Sequence, residues 1–243
     1  MTQFLQQNYI QDRYQELTYY NFSQIAPFIR MLFIHAVDGN VTFEETTLAL
    51  PNLEVLEVRY SMIDQTKRIP FKISATAFQL SPKLRFFTAQ SVSLDEDTIQ
   101  ALRSVKHSLG YLTLKFCEPR KRLLSVVAEF TNLIDLEIGG LSENETFPPG
   151  TYQKSGATLE KFTLSHCWMP TITKQLLLGL GNLRTLSIYK SKVTRIEEGA
   201  FDVLVNLSFL YLEDTLIESL PPNLFQKNKQ LTWLDPLFDG AVR

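Results

Sequence analysis

LRTLSIYKSKVTRIEEGAFDVLVN occupies residues 183–206, LSFLYLEDTLIESLPPNLFQKNKQ occupies residues 207–230, and LTWL follows at residues 231–234. Each segment opens with a leucine, two further residues and a second leucine, and this phrase restarts every 24 residues. A fixed period of roughly 20 to 50 residues is typical of stacked repeats, in which no single unit can bury its own apolar face. The stretch therefore predicts a solenoid whose core forms between neighbouring repeats.

The same phrase can be followed back through most of the chain. Its first positions are Ile29, Leu53, Leu84, Leu109, Leu133, Leu159, Leu183, Leu207 and Leu231. Successive starts differ by 24, 31, 25, 24, 26, 24, 24 and 24 residues. We therefore predict a single domain over residues 1–243, in which residues 29–243 are repeats and residues 1–28 form a degenerate first repeat or cap.

The apolar positions of the two most regular repeats carry a family resemblance. They are Leu183, Leu186, Ile188, Val193, Ile196 and Phe201 in one repeat, and Leu207, Leu210, Leu212, Ile217, Leu220 and Phe225 in the next. Together with Gly199-Ala200-Phe201 and Leu220-Pro221, they resemble the leucine-rich repeat family, in the 24-residue subtype common in extracellular proteins. The resemblance implies an α/β fold, a curved horseshoe with a concave parallel sheet of about nine strands and a convex side of short helices, 3₁₀ turns and loops.

Between the strand phrases the apolar spacing changes to that of helices. Residues 97–107, 120–130 and 173–180 are predicted to form short convex helices. The 31-residue interval places seven extra residues within positions 64–74, where we expect a loop that bulges from the solenoid. Residues 142–156, which contain two prolines and two glycines, are predicted to form a looser convex segment.

Residues between the aliphatic positions of each phrase should point away from the core, onto the concave face. Nine strands about 4.8 Å apart would make a ladder on the order of 40 Å long, which suits a protein or peptide better than a metabolite. The predicted partner-binding residues are Arg59, Tyr60, Phe86, Tyr111, Phe116, Tyr189, Phe209, Tyr211 and Trp233. Exposed aromatic residues among mixed charges are typical of a protein-binding surface, although they could instead pack on one another along the ladder.

Composition and charge narrow the possible partners. A net charge of -2, from 24 basic and 26 acidic residues, gives no overall field that would attract nucleic acid or anionic lipid. No apolar run approaches the roughly 20 residues of a membrane span. The first 15 residues lack a secretory signal, so we expect either an intracellular protein or a numbering that starts inside a longer precursor.

The two cysteines are predicted to be buried turn residues. Cys117 and Cys167 both stand at the ninth position of a repeat, where the resemblance implies asparagine or a small substitute. Because one repeat separates theirs, their backbones should lie about 10 Å apart, beyond the roughly 7 Å that a disulfide spans. At that separation we predict two free thiols. No residues have the spacing of a catalytic site, a metal site or a cofactor site, so we also predict no enzyme activity.

Four asparagines fit the glycosylation pattern: Asn21, Asn40, Asn144 and Asn206. With the family resemblance they favour a secreted, non-enzymatic protein that recognises a protein partner through its concave face. Two departures weaken that assignment, since neither cysteine-rich cap of the extracellular subtype is visible and the final repeat stops at Asp235-Pro236. The alternatives are a cytoplasmic leucine-rich repeat scaffold or adaptor, and a non-catalytic subunit of a secreted enzyme complex.

Overall fold

A computed structural model describes residues 8–12, 26–36, 41–43, 50–60 and 68–235 of this chain. The chain divides into two compact units, Met1–Pro119 and Arg120–Arg243, which we call unit 1 and unit 2. Organisation as a single domain remains a prediction, and each unit is described separately.

Unit 1 contains two parallel sheets. Its strands are β1 (Asn8–Asp12), β2 (Met31–Ala36), β3 (Val41–Thr42), β4 (Val55–Tyr60), β5 (Ile69–Lys72), β6 (Phe86–Gln90), β7 (Val92–Leu94) and β8 (Tyr111–Lys115). The main sheet of unit 1 has the order β1-β2-β4-β6-β8, and a smaller sheet has the order β3-β5-β7. Every pairing in both sheets is parallel.

Unit 2 repeats this arrangement with shorter elements. Its strands are β9 (Asp135–Gly139), β10 (Lys161–Ser165), β11 (Thr171–Ile172), β12 (Thr185–Tyr189), β13 (Arg195–Ile196), β14 (Phe209–Tyr211) and β15 (Trp233–Leu234). The main sheet of unit 2 has the order β9-β10-β12-β14-β15, and β11 pairs with β13. These pairings are also parallel.

The repeat phrase accounts for the positions of the strands. Each of the nine phrase starts stands two residues before a strand of a main sheet, as Leu183 stands before Thr185. The residues in the second and third aliphatic positions of each phrase then point into the core, and outward-facing residues alternate with them along the strand. This alternation confirms the predicted repeat register. In unit 2 the register aligns Leu136, Phe162, Leu186 and Leu210 in one row, each 0% exposed.

Helices lie between the strands where the apolar spacing predicted them. They are α1 (Glu96–Ser104), α2 (Arg120–Val127) and α3 (Lys174–Leu177), each shorter than the predicted segment. Asp95 caps α1, because its side chain accepts a hydrogen bond from the Thr98 backbone N–H at 3.0 Å. Short 3₁₀ helices occupy Ala26–Phe28 and Ala77–Leu80. No helix in the described ranges is long and apolar enough to cross a membrane.

The prediction of a bulging loop at residues 64–74 is wrong for the second half of that segment. Residues 61–67 lie outside the described part of the chain, but Ile69–Lys72 forms the central strand of the smaller sheet in unit 1. Ile69, Phe71 and Ile73 are buried, because their period of two places them on one side of a strand. The inserted residues therefore extend the core of unit 1 at this point.

Residues 142–156, predicted to be a looser convex segment, contain turns and irregular structure, and they also supply a large core residue. The Tyr152 side chain is 2% exposed, and its ring packs on Phe162 and Phe147 at centroid distances of 5.3 and 5.8 Å. Two predicted apolar positions near the end of unit 2 are only half-buried, Leu220 and Phe225. Leu224 is buried in their place.

Candidate functional site

The main sheet of unit 2 carries four of the nine predicted partner-binding residues. Successive side chains on a strand point to opposite sides, so every second residue faces solvent. The register aligns these residues in three rows: Asp135, Lys161, Thr185, Phe209 and Trp233; Glu137, Thr163, Ser187 and Tyr211; and Gly139, Ser165 and Tyr189. We call this surface the exposed face of unit 2.

Four aromatic residues lie on this face, on the consecutive sheet strands β12, β14 and β15. Phe209 on β14 lies directly opposite Trp233 on β15, and their side chains are 42% and 53% exposed. Tyr211 follows on the same side of β14, and Tyr189 lies on the neighbouring strand β12. Both tyrosines are half-buried. These four residues, which the sequence predicted to bind a partner, are called the aromatic cluster.

The Tyr189 side chain also joins two strands that are not neighbours in the sheet. Its hydroxyl donates a hydrogen bond to Oε1 of Glu137 on β9 at 2.9 Å. Because β10 lies between β9 and β12, the Tyr189 side chain must cross the solvent side of β10. This crossing accounts for the burial of Thr163 and Ser165, which are 5% and 0% exposed although they point away from the core.

The main sheet of unit 1 has an exposed face of different composition. Its aligned rows are Met31, Val55, Phe86 and Tyr111; Phe33, Glu57, Thr88 and Thr113; and His35, Arg59, Gln90 and Lys115. The rings of Phe86 and Tyr111 stack with centroids 4.0 Å apart and planes 12° from parallel. These two predicted binding residues therefore pack on each other along the ladder, the alternative role considered above.

A single carboxylate contacts two basic side chains on the polar side of that face. Oε1 of Glu57 lies 2.8 Å from Nε2 of His35 and 2.9 Å from Nε of Arg59. The Arg59 side chain is 48% exposed, in agreement with its predicted outward position. Immediately before strands β2 and β4, the exposed side chains of Arg30 and Glu54 are joined by hydrogen bonds. These hydrogen bonds lower the pKa of the Glu54 carboxyl.

The predicted outward position of Tyr60 is wrong, because this side chain is 6% exposed and belongs to the core. Strand β4 continues through Tyr60, so the alternation that buries Leu56 and Val58 buries it as well. In the repeat of Phe116 the strand ends one residue earlier, and Phe116 adopts a φ of 52°. Phe116 is half-buried, with the Arg68 guanidinium 5.9 Å from its ring centroid.

Both cysteines are free and buried, as predicted. The Cys117 thiol donates to the carbonyl oxygens of Ala89 and Lys115 at 3.2 and 3.3 Å. Burial raises the pKa of Cys117 to about 12 and that of Cys167 to about 11. Because the thiolate is the reactive species, neither side chain is an effective nucleophile at neutral pH.

The candidate glycosylation sites differ in their surroundings. Asn144 lies exposed in the turn segment of unit 2. Asn206 is also exposed, but its side-chain nitrogen donates to the Gly181 carbonyl oxygen at 3.0 Å. Asn21 and Asn40 lie outside the described residues.

The described ranges contain no group of three or more histidine, cysteine or acidic side chains that could hold a metal ion. Asp95, Glu96 and Asp97 form a short acidic run with a structural role, since Asp95 is the cap of α1.

Comparison with known proteins agrees with this repeat architecture. The family model described as leucine rich repeat matches residues 157–217 and 181–235. Mimecan of Mus musculus is 31% identical over 137 residues, which cover 55% of this chain and 44% of mimecan. The chain therefore aligns with less than half of the length of this relative.

Solved structures show the same fold at lower identity. TLR13, in its crystal structure with ssRNA13, matches 90% of this chain and 33% of its own at 19% identity, with a TM-score of 0.57. A leucine-rich repeat protein of Leptospira interrogans matches 82% of this chain and 48% of its own at 18% identity, with a TM-score of 0.54. The strand register and these similarities identify the chain as a leucine-rich repeat protein.

Proposed function

We propose that the chain is a non-enzymatic binding module that recognises a protein partner through the aromatic cluster on the exposed face of unit 2. The observation that carries this proposal is the adjacent position of Phe209 and Trp233, which are 42% and 53% exposed on neighbouring strands. Aromatic side chains bring a large apolar area to an interface, and tryptophan and tyrosine are enriched among binding hot spots.

The surroundings of the aromatic cluster also suit an interface. Thr185 and Ser187 on β12 lie beside the aromatic residues of β14, and their side chains are short and polar. Large aromatic side chains next to small hydroxyl side chains form an uneven surface, and the side chains of a partner can fit into its depressions. In unit 1 the stack of Phe86 on Tyr111 leaves less ring area for a partner.

Replacing Phe209 and Trp233 together with alanine should abolish partner binding. If both are hot spots, each truncation costs at least about 2 kcal/mol of binding free energy, which is about a 30-fold loss of affinity. The test is affinity capture with the full chain from conditioned medium and from cytosolic extract, quantified by mass spectrometry for the wild type and the double variant.

The matched control is Phe86→Ala in unit 1, because Phe86 is exposed to a similar degree as Phe209, at 39% and 42%. Proteins that bind through the aromatic cluster should be retained by this control and lost with the double variant. If every captured protein survives the double substitution, the aromatic cluster is not the binding surface.

We further propose that the protein works outside the cell, a proposal supported by its resemblance to the extracellular repeat subtype and by the exposed sequon at Asn144. When the chain is expressed through the secretory route of a eukaryotic cell, Asn144 should carry a glycan. Asn206 should not, because its side-chain nitrogen is held by the Gly181 carbonyl oxygen. Peptide mapping after enzymatic deglycosylation, with Asn144→Gln as the control, checks both sites. An unmodified Asn144, together with capture of partners from the cytosolic extract alone, would favour an intracellular scaffold.

A further inference from the structure

The exposed face of unit 2 extends beyond its three aligned rows. The Asp235 backbone N–H donates to the Leu210 carbonyl oxygen at 2.9 Å, which continues the register and places Asp235 beside Tyr211. The Glu213 carbonyl oxygen accepts from the Lys190 N–H at 3.1 Å, which places Glu213 beside Tyr189. Tyr211 therefore has a carboxylate, Asp235, on the neighbouring strand. The backbone of Glu213 lies beside that of Tyr189, whose side chain extends in the other direction, over β10.

The charge of this face is predominantly negative. Its described residues include four carboxylates, Asp135, Glu137, Glu213 and Asp235, and one ammonium group, that of Lys161. Lys161 is already paired, since its Nζ lies 3.0 Å from Asp135. Glu137 accepts a hydrogen bond from the Tyr189 hydroxyl. Glu213 and Asp235, which border the aromatic cluster, are thus not balanced by a further cation among the described residues of the face.

The residues that flank the face do not supply the missing positive charge. Before the strands begin, Arg184 lies 3.9 Å from the Glu160 carboxylate. After the strands end, His166, Lys190 and Asp214 occupy equivalent turn positions in consecutive repeats, with φ angles of 52°, 50° and 51°. With histidine counted as neutral, one positive and one negative side chain stand at each end of the strands, so the excess of formal negative charge lies on the face.

The exposed face of unit 1 has the opposite balance. Glu57 is the acidic residue in its described rows, and it is held by both His35 and Arg59. Lys115 adds a further positive charge to the same row as Arg59. The combination of aromatic rings and unbalanced carboxylates therefore distinguishes unit 2.

We infer that the exposed face of unit 2 binds a basic, arginine- or lysine-containing segment of the partner protein. This inference rests on the proposed function and specifies the chemistry of the partner. A guanidinium group stacks on aromatic faces and pairs with carboxylates, and its aliphatic stem covers apolar surface. Phe209, Tyr211 and Trp233 supply the rings. Asp235 beside Tyr211, and Glu213 two residues after Tyr211, supply the carboxylates.

A displayed library of random 12-residue peptides, selected on the full chain, tests this inference without a known partner. Peptides that require Phe209 and Trp233 should be enriched about threefold or more in arginine and lysine relative to the unselected library. Replacing both carboxylates by amides, in Glu213→Gln with Asp235→Asn, should weaken these peptides about tenfold and remove the enrichment. The same peptides with citrulline in place of arginine should bind the wild type about tenfold more weakly.

The matched control has the same change in net charge at exposed positions outside this face, Glu198→Gln with Glu218→Gln. It should leave binding within about twofold of the wild type, because charges outside the face act only through screened, long-range attraction. Peptides that require the aromatic cluster but are not basic would overturn this inference and leave the proposed function standing. A selection that yields no peptides dependent on Phe209 and Trp233 would contradict both.

Discussion

Replacing Leu186 with alanine is expected to lower the free energy of unfolding of unit 2 by about 2 to 5 kcal/mol. Leu186 is 0% exposed on β12, between Phe162 on one side and Leu210 on the other. Truncation removes buried methyl groups and leaves a cavity that the neighbouring strands cannot fill without breaking their backbone ladder. Both tryptophans of the chain, Trp168 and Trp233, belong to unit 2, so urea denaturation followed by tryptophan fluorescence measures this effect.

The control for Leu186→Ala is Phe209→Ala, which removes a larger side chain from the solvent side of the neighbouring strand. Its expected cost is about 1 kcal/mol or less, because Phe209 is already 42% exposed. A larger loss of stability from Phe209→Ala than from Leu186→Ala would mean that the two sides of the sheet have been assigned the wrong way round.

Replacing Gly156 with alanine should destabilise unit 2 by about 3 kcal/mol or more. A Cβ atom at this position would lie 2.1 Å from the Gly179 carbonyl oxygen and 2.7 Å from the Tyr152 carbonyl oxygen. Both obstacles are backbone atoms, so no side-chain rotation relieves the overlap. The turn that carries the fully buried Tyr152 ring would have to move, and its packing on Phe162 would be disturbed.

Gly181→Ala is the matched control for Gly156→Ala. The nearest atom to a Cβ at Gly181 is the Val203 carbonyl oxygen at 3.7 Å, an ordinary van der Waals distance. We expect a change within about 0.5 kcal/mol for this variant. Equal denaturation midpoints for the two alanine variants would contradict the close backbone approach at Gly156.

The strand positions of this protein follow from its sequence because the repeat phrase determines both the period and the direction of each side chain. The phrase starting at Leu159 places Phe162 and Leu164 in the core and Lys161 in solvent, as the structure shows. The aromatic cluster was predicted for the same reason. A period of 24 residues with a strict alternation inside it leaves little freedom for these positions.

Features that depend on how a strand ends were not accessible to the repeat phrase. Tyr60 is buried because β4 runs one residue further than β8, where Phe116 turns to a positive φ. Strand β5 was missed because its residues lie in an insertion, although the alternation of Ile69 and Phe71 is a sequence signal that could have revealed it.

Other features arise from packing between segments distant in sequence. Nothing in the turn-rich stretch around Tyr152 marks that side chain as a core residue, since its burial depends on rings that other segments supply. The reach of Tyr189 across β10 is equally invisible in the sequence, because it depends on Glu137, which lies 52 residues earlier.

The hydrogen bond between Tyr189 and Glu137 changes how unit 2 should unfold. The stability of repeat proteins is commonly written as a sum of repeat terms and nearest-neighbour terms, as in a one-dimensional Ising chain. This bond joins two repeats that are not nearest neighbours, since the strand β10 lies between theirs. If the intervening repeat opens alone, it therefore strains a hydrogen bond whose two partners both belong to the flanking repeats. Three consecutive repeats are tied into one cooperative block.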